Sequence, residues 1–292
     1  MPELPEVETI ARGLNQRISG DVIESIWLGE KPEPLKSPAP EIASAVEHTR
    51  ILAVRRAGKH IVFDLDRKDV ERAPSPAKRR TSHPPPKAPR PETTTQFIVH
   101  LGMSGRLQVC DPQSEIVKHT HAIAKLASGR ELRFVDPRRF GRLSVAASGD
   151  FAAAGIEPLE AGLEHFIALF RRRKTPIKSA LLNQKLLRGV GNIYADESLF
   201  RAKIRPRRRA SSLTRDQLDR LFKAVQKVLR EAIAAGGSSI SDYVDSDGEE
   251  GFFQFKHRVY GREGKPCLVC KTPIKRIVIG GRSSHYCPKC QK

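Results

Sequence analysis

The sequence predicts an α+β fold, in which a helix and a strand-rich unit precede a helical unit and a short cysteine-bearing β-hairpin. Three observations carry this. Residues 2–19 place Leu4, Val7, Ile10, Ala11 and Leu14 at helical spacing. From about 22 to 145, short β-like runs are broken by Gly, Pro and Asp. From about 161 the spacing is helical again, until a tail whose last 26 residues hold four of the five Cys.

Each element has its own justification. Pro2 or Pro5 suits the first turn of the opening helix. The runs VIESIWL, ILAVRRA, HIVFDL, QFIVHLGM, ELRFVD and RLSVA then predict a β-sandwich or barrel, completing a unit over 1–146. Cys110 ends a mixed, strand-like run and reads as a small buried hydrophobe. Residues 67–95 interrupt the strands with seven prolines among many charges. Such a segment cannot form a core, so it reads as a disordered or polyproline-like insertion. Residues 147–160 read as a linker. The helical unit, 161–253, includes EHFIALFRRR, PIKSALLNQKLL, NIYADESLFRAK and a long helix after Thr214. Thr214 with Gln217 forms a capping-box pattern, and Gly236-Gly237 stops that helix. The tail, 254–292, carries ten Lys or Arg against one acidic residue, Glu263, and reads as a hairpin built around a metal.

Composition narrows the function. A chain of 292 residues suggests two or three units, and 39% hydrophobic content buries a real core. No run of 18 apolar residues is present, which argues against a membrane span. Glu3, Glu6 and Glu8 interrupt any signal-peptide pattern, so a soluble cytosolic protein is expected. The net charge of +19 points to a polyanionic partner, because each neutralised phosphate releases counterions. A ribosome-associated basic protein is the bland alternative. An anionic membrane surface fits less well, since no basic amphipathic anchor stands out. The 67–95 insertion could touch DNA non-specifically or be a solvated loop.

Three motifs carry chemistry. Cys267-x2-Cys270 and Cys287-x2-Cys290 are separated by sixteen residues. Two such knuckles make a tetrahedral four-sulfur site suited to one structural Zn²⁺, with no open position. An iron–sulfur cluster or two reducible disulfides are the alternatives. A segment of this size cannot bury enough area alone, so the metal would supply its folding energy. In LLRGVGNIYADESLF, Gly189 and Gly191 precede a helix starting near Asn192. That turn could present backbone N–H groups to a phosphate, or be a tight helix–helix connection. Finally, Pro2 follows Met1. It is either a helix start or, after Met1 removal, a secondary amine. Such an α-amino group, with a pKa of about 7.7–8.0, is partly neutral near pH 7. A neutral amine can attack a sugar C1′ and form an iminium, with Glu3 beside it as proton donor.

Taken together, MPELPEVETI, HLGMSGRL, DPRRFGRL, GVGNIYADESLF, SDGEEGFFQ, VYGREGKPC and the four-cysteine cluster closely resemble the bacterial formamidopyrimidine-DNA glycosylase family. The likeness spans nearly the whole chain apart from 67–95. It implies a helix plus β-sandwich, a helix–two-turn–helix domain and a zinc-bearing hairpin, with double-stranded DNA in the cleft between the two domains. It implies excision of oxidised purines followed by strand cleavage in the bacterial cytoplasm, at the nucleoid; a single continuous duplex-binding cleft makes a monomer the default.

The resemblance also implies roles. Pro2 resembles the nucleophile and Glu3 the acid assisting ring opening; Glu6 would orient that end of the site. Lys59 matches a phosphate-contacting lysine that aids catalysis, although it lies one residue further from the Arg pair than in the tighter family spacing. Arg282, five residues before Cys287, matches the finger arginine that grips phosphate. His100, Asn192 and His119 match DNA contacts, His119 being otherwise a surface histidine. Lys174 and Lys178 match helical-domain lysines near the lesion. Met103, Arg138 and Phe140 resemble a triad that fills the void left when a base leaves the stack; alone, Met103 and Phe140 would read as core. Residues 236–254 resemble the loop covering the flipped base. An endonuclease VIII-like enzyme for oxidised pyrimidines, or a catalytically inactive DNA-binding module, is the alternative.

Overall fold

The computed structural model describes residues 1–67, 94–147, 151, 153–239, 244–246 and 248–292. The insertion read over 67–95 thus lies outside the described residues, apart from its edges. So do residues 148–150 and 152 of the linker, and residues 240–243 and 247 of the 236–254 segment.

The opening helix is α1 (Leu4–Ile18), with proline in its first turn. Eight antiparallel strands follow: β1 (Val22–Leu28), β2 (Thr49–Ala57), β3 (His60–Asp66), β4 (Thr94–His100), β5 (Arg106–Cys110), β6 (Thr120–Leu126), β7 (Glu131–Val135) and β8 (Arg142–Ala147). Thr94 and Thr95, assigned to the insertion by sequence, already pair with Asp66 and Leu65 in the β3–β4 ladder. The strands are hydrogen-bonded in the order β5-β7-β6-β1-β2-β3-β4-β8. The two halves of this order meet at β1 and β2, which share only the pairs Val22–Arg50 and Ile23–Thr49. Both halves contribute to one core, from Phe63 and Phe97 on one side to Leu107 and Phe134 on the other. A short helix, α2 (Ala39–Val46), closes part of that core with Ile42 and Val46. Cys110 is half-buried rather than buried.

The helical unit comprises α3 (Leu163–Phe170), α4 (Ile177–Leu182), α5 (Asn192–Arg201) and α6 (Arg215–Ala234). Thr214 caps α6 through the box expected with Gln217. The tail forms β9 (Lys275–Ile279) and β10 (Arg282–Tyr286). No described helix is long and apolar enough to cross a membrane.

What positions the site is the double membership of α1. Val7, Ile10, Ala11 and Leu14 belong to the sheet core, whereas Leu4 belongs to the helical core with Leu187, Val190 and Tyr194. The first turn of α1 therefore sits at the seam between two cores. A buried ion cluster fixes the seam from behind. Arg56 of β2 holds both oxygens of Glu157, at 2.8 and 2.9 Å, and also Glu8 of α1 at 2.7 Å. Glu157 lies in the stretch read as linker, so that linker is anchored at its far end. Removing one partner of such a cluster leaves an uncompensated buried charge, which explains why all three stay paired.

Candidate active site

The N-terminus of α5 receives the start of α1. The Glu3 carboxylate accepts from Ile193 N at 3.1 Å and Tyr194 N at 3.5 Å, where the free N–H groups of a helix favour negative charge. At this Gly-x-Gly turn, where either a phosphate or a tight helix–helix connection was open, these N–H groups bind the protein's own carboxylate. Leu4 N donates to Gly189 O at 3.0 Å, completing the junction. Glycine is required at 191, because a Cβ there would fall well inside contact distance of the Glu3 carboxyl carbon. Gly191→Ala should therefore displace Glu3. On the role that the resemblance implies for Glu3, single-turnover base excision should fall about a hundredfold, as for a misplacement of about 1 Å.

Burial pushes the Glu3 carboxyl up to about 7, against the opposing pull of Lys59 and with a further upward push from Glu6. Glu6 is raised as well, mainly by burial. Glu6 takes a hydrogen bond from Glu3 N at 2.8 Å, from the Tyr194 hydroxyl, and from Ser238 N at 2.8 Å. Lys59, in the β2–β3 turn, is lowered by burial while the two glutamates pull it back up. The seam opens into a cavity of about 740 Å³. Pro2, Glu3, Lys59, Met103, Asn192 and Arg282 all line it, bringing the four proposed chemical residues together with two proposed DNA contacts.

Arg282 reaches the cavity from the tail hairpin. Gly280 and Gly281, with φ of 56° and 75°, make the tight turn between Ile279 and Arg282. The hairpin hangs from α5: Asp196 accepts from His285 N at 2.8 Å, and Glu197 Oε1 accepts from Arg258, Val259 and Tyr260 N at 2.9, 2.9 and 3.0 Å. One helix thus holds Glu3 at its start and the hairpin at its middle.

Lys178 departs from expectation. It is fully buried, paired with Asp196 at 2.7 Å and donating to Ser283 O at 2.6 Å. Its ammonium is an internal brace beneath the hairpin and not a surface contact. Lys174 is exposed and outside the cavity. Asn192 donates to Ser283 Oγ at 3.2 Å.

Two turns stand beside the cavity. Asp136, fully buried, accepts from Ser104 Oγ at 2.6 Å, Gly141 N at 2.7 Å and Arg138 N at 3.2 Å. It therefore ties the turn bearing Met103 to the turn bearing Arg138 and Phe140. Met103 is 39% and Phe140 50% exposed, so neither is core. The Arg138 guanidinium lies 5.1 Å from the Phe140 ring centre. His119 is exposed, with its carbonyl accepting Asp136 N at 3.0 Å. His100 ends β4 with its ring 5.0 Å from that of His60. Burial lowers His100 to about 4, so it is neutral at pH 7. Nδ1 accepts from Gly102 N at 3.1 Å, which leaves Nε2–H as a donor.

The sulfurs of Cys267, Cys270, Cys287 and Cys290 lie within 4.8 Å of one another, with near pairs at 3.4 and 3.9 Å. A tetrahedral zinc with bonds of about 2.3 Å requires sulfur–sulfur edges of about 3.8 Å, so the residues fit it. The surrounding core is tiny: Phe200 of α5, Val259 and Ile274 join the two buried cysteines.

Sequence reasoning did not single out Ser179, Ser238, Tyr260 and Arg276, which also line the cavity. Tyr260 does sit inside a motif quoted above, Ser179 in a quoted helical run and Ser238 in the 236–254 stretch; Arg276 carried no signal beyond the basic tail.

Residues 1–143 match the family model described as the formamidopyrimidine-DNA glycosylase N-terminal domain. Residues 154–244 match its H2TH domain, and 264–292 a zinc finger found in FPG and IleRS. A formamidopyrimidine-DNA glycosylase of Solibacter usitatus is 43% identical over the full length of both chains. The chain belongs to the formamidopyrimidine-DNA glycosylase family. A glycosylase of the same name from Listeria innocua is 36% identical, again over both whole chains. Among solved structures, the MutM (Fpg) protein of Thermus thermophilus is 38% identical, with a TM-score of 0.81 over 99% of this chain and 98% of that one. The Lactococcus lactis Fpg bound to DNA containing an abasic site is 29% identical, with a TM-score of 0.85 over 99% of each chain. The four cysteines accordingly form the glycosylase's single structural zinc site.

Proposed function

We propose that this chain excises oxidised purines, 8-oxoguanine and formamidopyrimidines, from double-stranded DNA and then cleaves the strand, with Pro2 as the nucleophile. The observation carrying this reading is the convergence of Pro2, Glu3, Lys59 and Arg282 on one cavity at the seam of two cores. Relatives support it: a point mutant of the Lactococcus lactis Fpg has been solved with DNA containing Fapy-dG, and a MutM with DNA containing carbocyclic 8-oxoguanine.

While Met1 remains attached, the Pro2 nitrogen is an amide and has no nucleophilic lone pair. Removal of Met1 leaves a secondary amine. The target nucleotide must leave the stack before its C1′ can be reached. Met103 and Phe140 then enter the vacated space, and Arg138 donates to the acceptor edge of the orphaned cytosine. The amine attacks C1′, the C1′–base bond breaks, and the base departs with its electron pair and takes up a proton. Glu3, protonated in part near neutral pH, gives its proton to the sugar ring oxygen as the ring opens to the iminium. The iminium acidifies the C2′ proton. Its loss expels the 3′ phosphate, and a second elimination expels the 5′ phosphate. Addition of water to the remaining iminium carbon, with loss of a proton, frees the Pro2 amine and leaves an aldehyde on the sugar fragment.

Lys59 and Arg282 hold phosphates and steady the developing charge. Asn192, His100, His119 and Lys174 contact the backbone, whereas Lys178 acts from within by bracing Ser283 beside Arg282. The zinc supplies folding energy to the hairpin and no chemistry.

The rival reading is an endonuclease VIII-like preference for oxidised pyrimidines. Excision from 8-oxoguanine:C and thymine-glycol:A duplexes separates the two. Faster release of 8-oxoguanine is expected, and preferential release of thymine glycol would overturn the purine assignment.

A further inference from the structure

The helical unit carries two basic runs of which the proposed function uses only Lys174. One is Arg171, Arg172, Arg173 and Lys174 after α3; the other is Arg205, Arg207, Arg208 and Arg209 after α5. The fold lays them side by side. Ile177 N donates to Arg208 O at 2.7 Å, Ser211 N to Arg173 O at 2.8 Å and Ala210 N to Thr175 O at 3.0 Å, while Pro176 bridges Arg209.

Arg172, Lys174, Arg207 and Arg209 are all exposed. Among the described residues, none of these four forms an ion pair with a carboxylate; the pairs in this unit belong to other side chains. Like charges brought together without acidic neighbours repel one another and cost stability. A fold keeps such a ridge without penalty where a polyanion lies across it. The ridge is also close to the site. It begins at the N-terminal end of α4, and Ser179, Leu182 and Asn183 of the same stretch line the cavity. With a rise of about 1.5 Å per residue, Thr175 and Ser179 are separated by less than about 10 Å along the chain axis.

We propose that this ridge is a second anchor for duplex DNA, holding the sugar–phosphate backbone of one arm beyond the lesion. It rests on the function proposed above and extends the interface past Lys174. Because the contacts are ionic and on one side only, they add affinity that is salt-dependent, sequence-independent and arm-specific.

The test uses full-length zinc-loaded protein, with and without R172Q/R207Q/R209Q. Binding is read by fluorescence anisotropy over a range of salt. The probes are a duplex of about 25 base pairs with a central tetrahydrofuran abasic analogue, and two shortened forms, each trimmed on one side. On the untrimmed duplex the variant should bind about tenfold more weakly at low salt, with a slope of log K against log salt reduced by about 2 to 3. The same loss should appear on one shortened duplex and vanish on the other. An unchanged slope, or equal losses on both shortened forms, would overturn the proposal. So would an equal loss from R220Q/K227Q/R230Q, which removes the same charge from α6. Borohydride trapping of the unmodified protein on 8-oxoguanine duplex reads the chemistry separately. Its failure alongside a normal arm-specific slope would count against the proposed reaction and leave the ridge standing.

Discussion

Glu3→Gln is expected to cut base excision and ring opening by about a hundredfold to ten-thousandfold, the range for loss of a positioned general acid. The amide keeps the shape, and its single oxygen can still accept from Ile193 N, so lesion binding should persist. The variant also has a pH signature. Glu3 stands at about 7 in the folded chain, mainly through burial, against an ordinary 4.5. Between these values the folded state holds a proton that the unfolded state has released. The stabilising contribution is therefore complete below about 4.5 and is lost as pH rises through about 7, an effect of about 3 kcal/mol. Thermal or urea unfolding of the native chain should weaken across that window. The variant should show a smaller loss there, the remainder coming from Glu6, which burial raises in the same direction. Parallel curves for the two proteins would mean that Glu3 is ionised throughout, and its role as proton donor would fail.

Stripping the zinc is expected to have the second large effect. The tail's own core is Val259, Ile274 and two cysteines, with Phe200 borrowed from α5. That is too little apolar area to fold without metal, and structural zinc in comparable fingers contributes about 10–16 kcal/mol of apparent binding energy at neutral pH. A strong chelator, or Cys287→Ser, should abolish amide-exchange protection across 264–292. It should leave protection intact in α1 and β3, which rest on the separate sheet core. Arg282 and the Gly280–Gly281 turn would leave the cavity, and DNA affinity should fall at least about tenfold as their phosphate contacts disappear. Retained protection in the metal-free tail would show that the Asp196 and Glu197 bonds suffice to hold it.

Much of this architecture could be read from local pattern. VIESIWL gave β1 at its observed limits, and the Thr214–Gln217 box placed the start of α6. What escaped was masked or non-local. THAIAKL, now β6, does not alternate, because four successive residues are buried. The helix α2 was hidden by the prolines around it. The strand order, with β1 and β2 joining the two halves, depends on pairing between distant strands.

The site divides in the same way. Motifs singled out Pro2, Glu3 and the cysteines, and the fold puts the first two on the cavity wall and clusters the four sulfurs. That Glu3 caps a helix 190 residues later was not legible, since no spacing rule links the two. Lys178 was misplaced because lysine is almost never fully buried unless paired, and its partner Asp196 lies on another helix. Arg56, bonded to Glu157 across 101 residues, gave no sign of its role at the seam.

The central claim concerns the nitrogen of Pro2. Purified protein should have an intact mass lacking Met1, and borohydride should trap it covalently on an 8-oxoguanine duplex through its N-terminal peptide. Pro2→Gly should diminish the adduct, and a chain forced to retain Met1 should give none. An adduct mapped to Lys59, or full activity from a chain whose N-terminus remains acylated, would contradict the account.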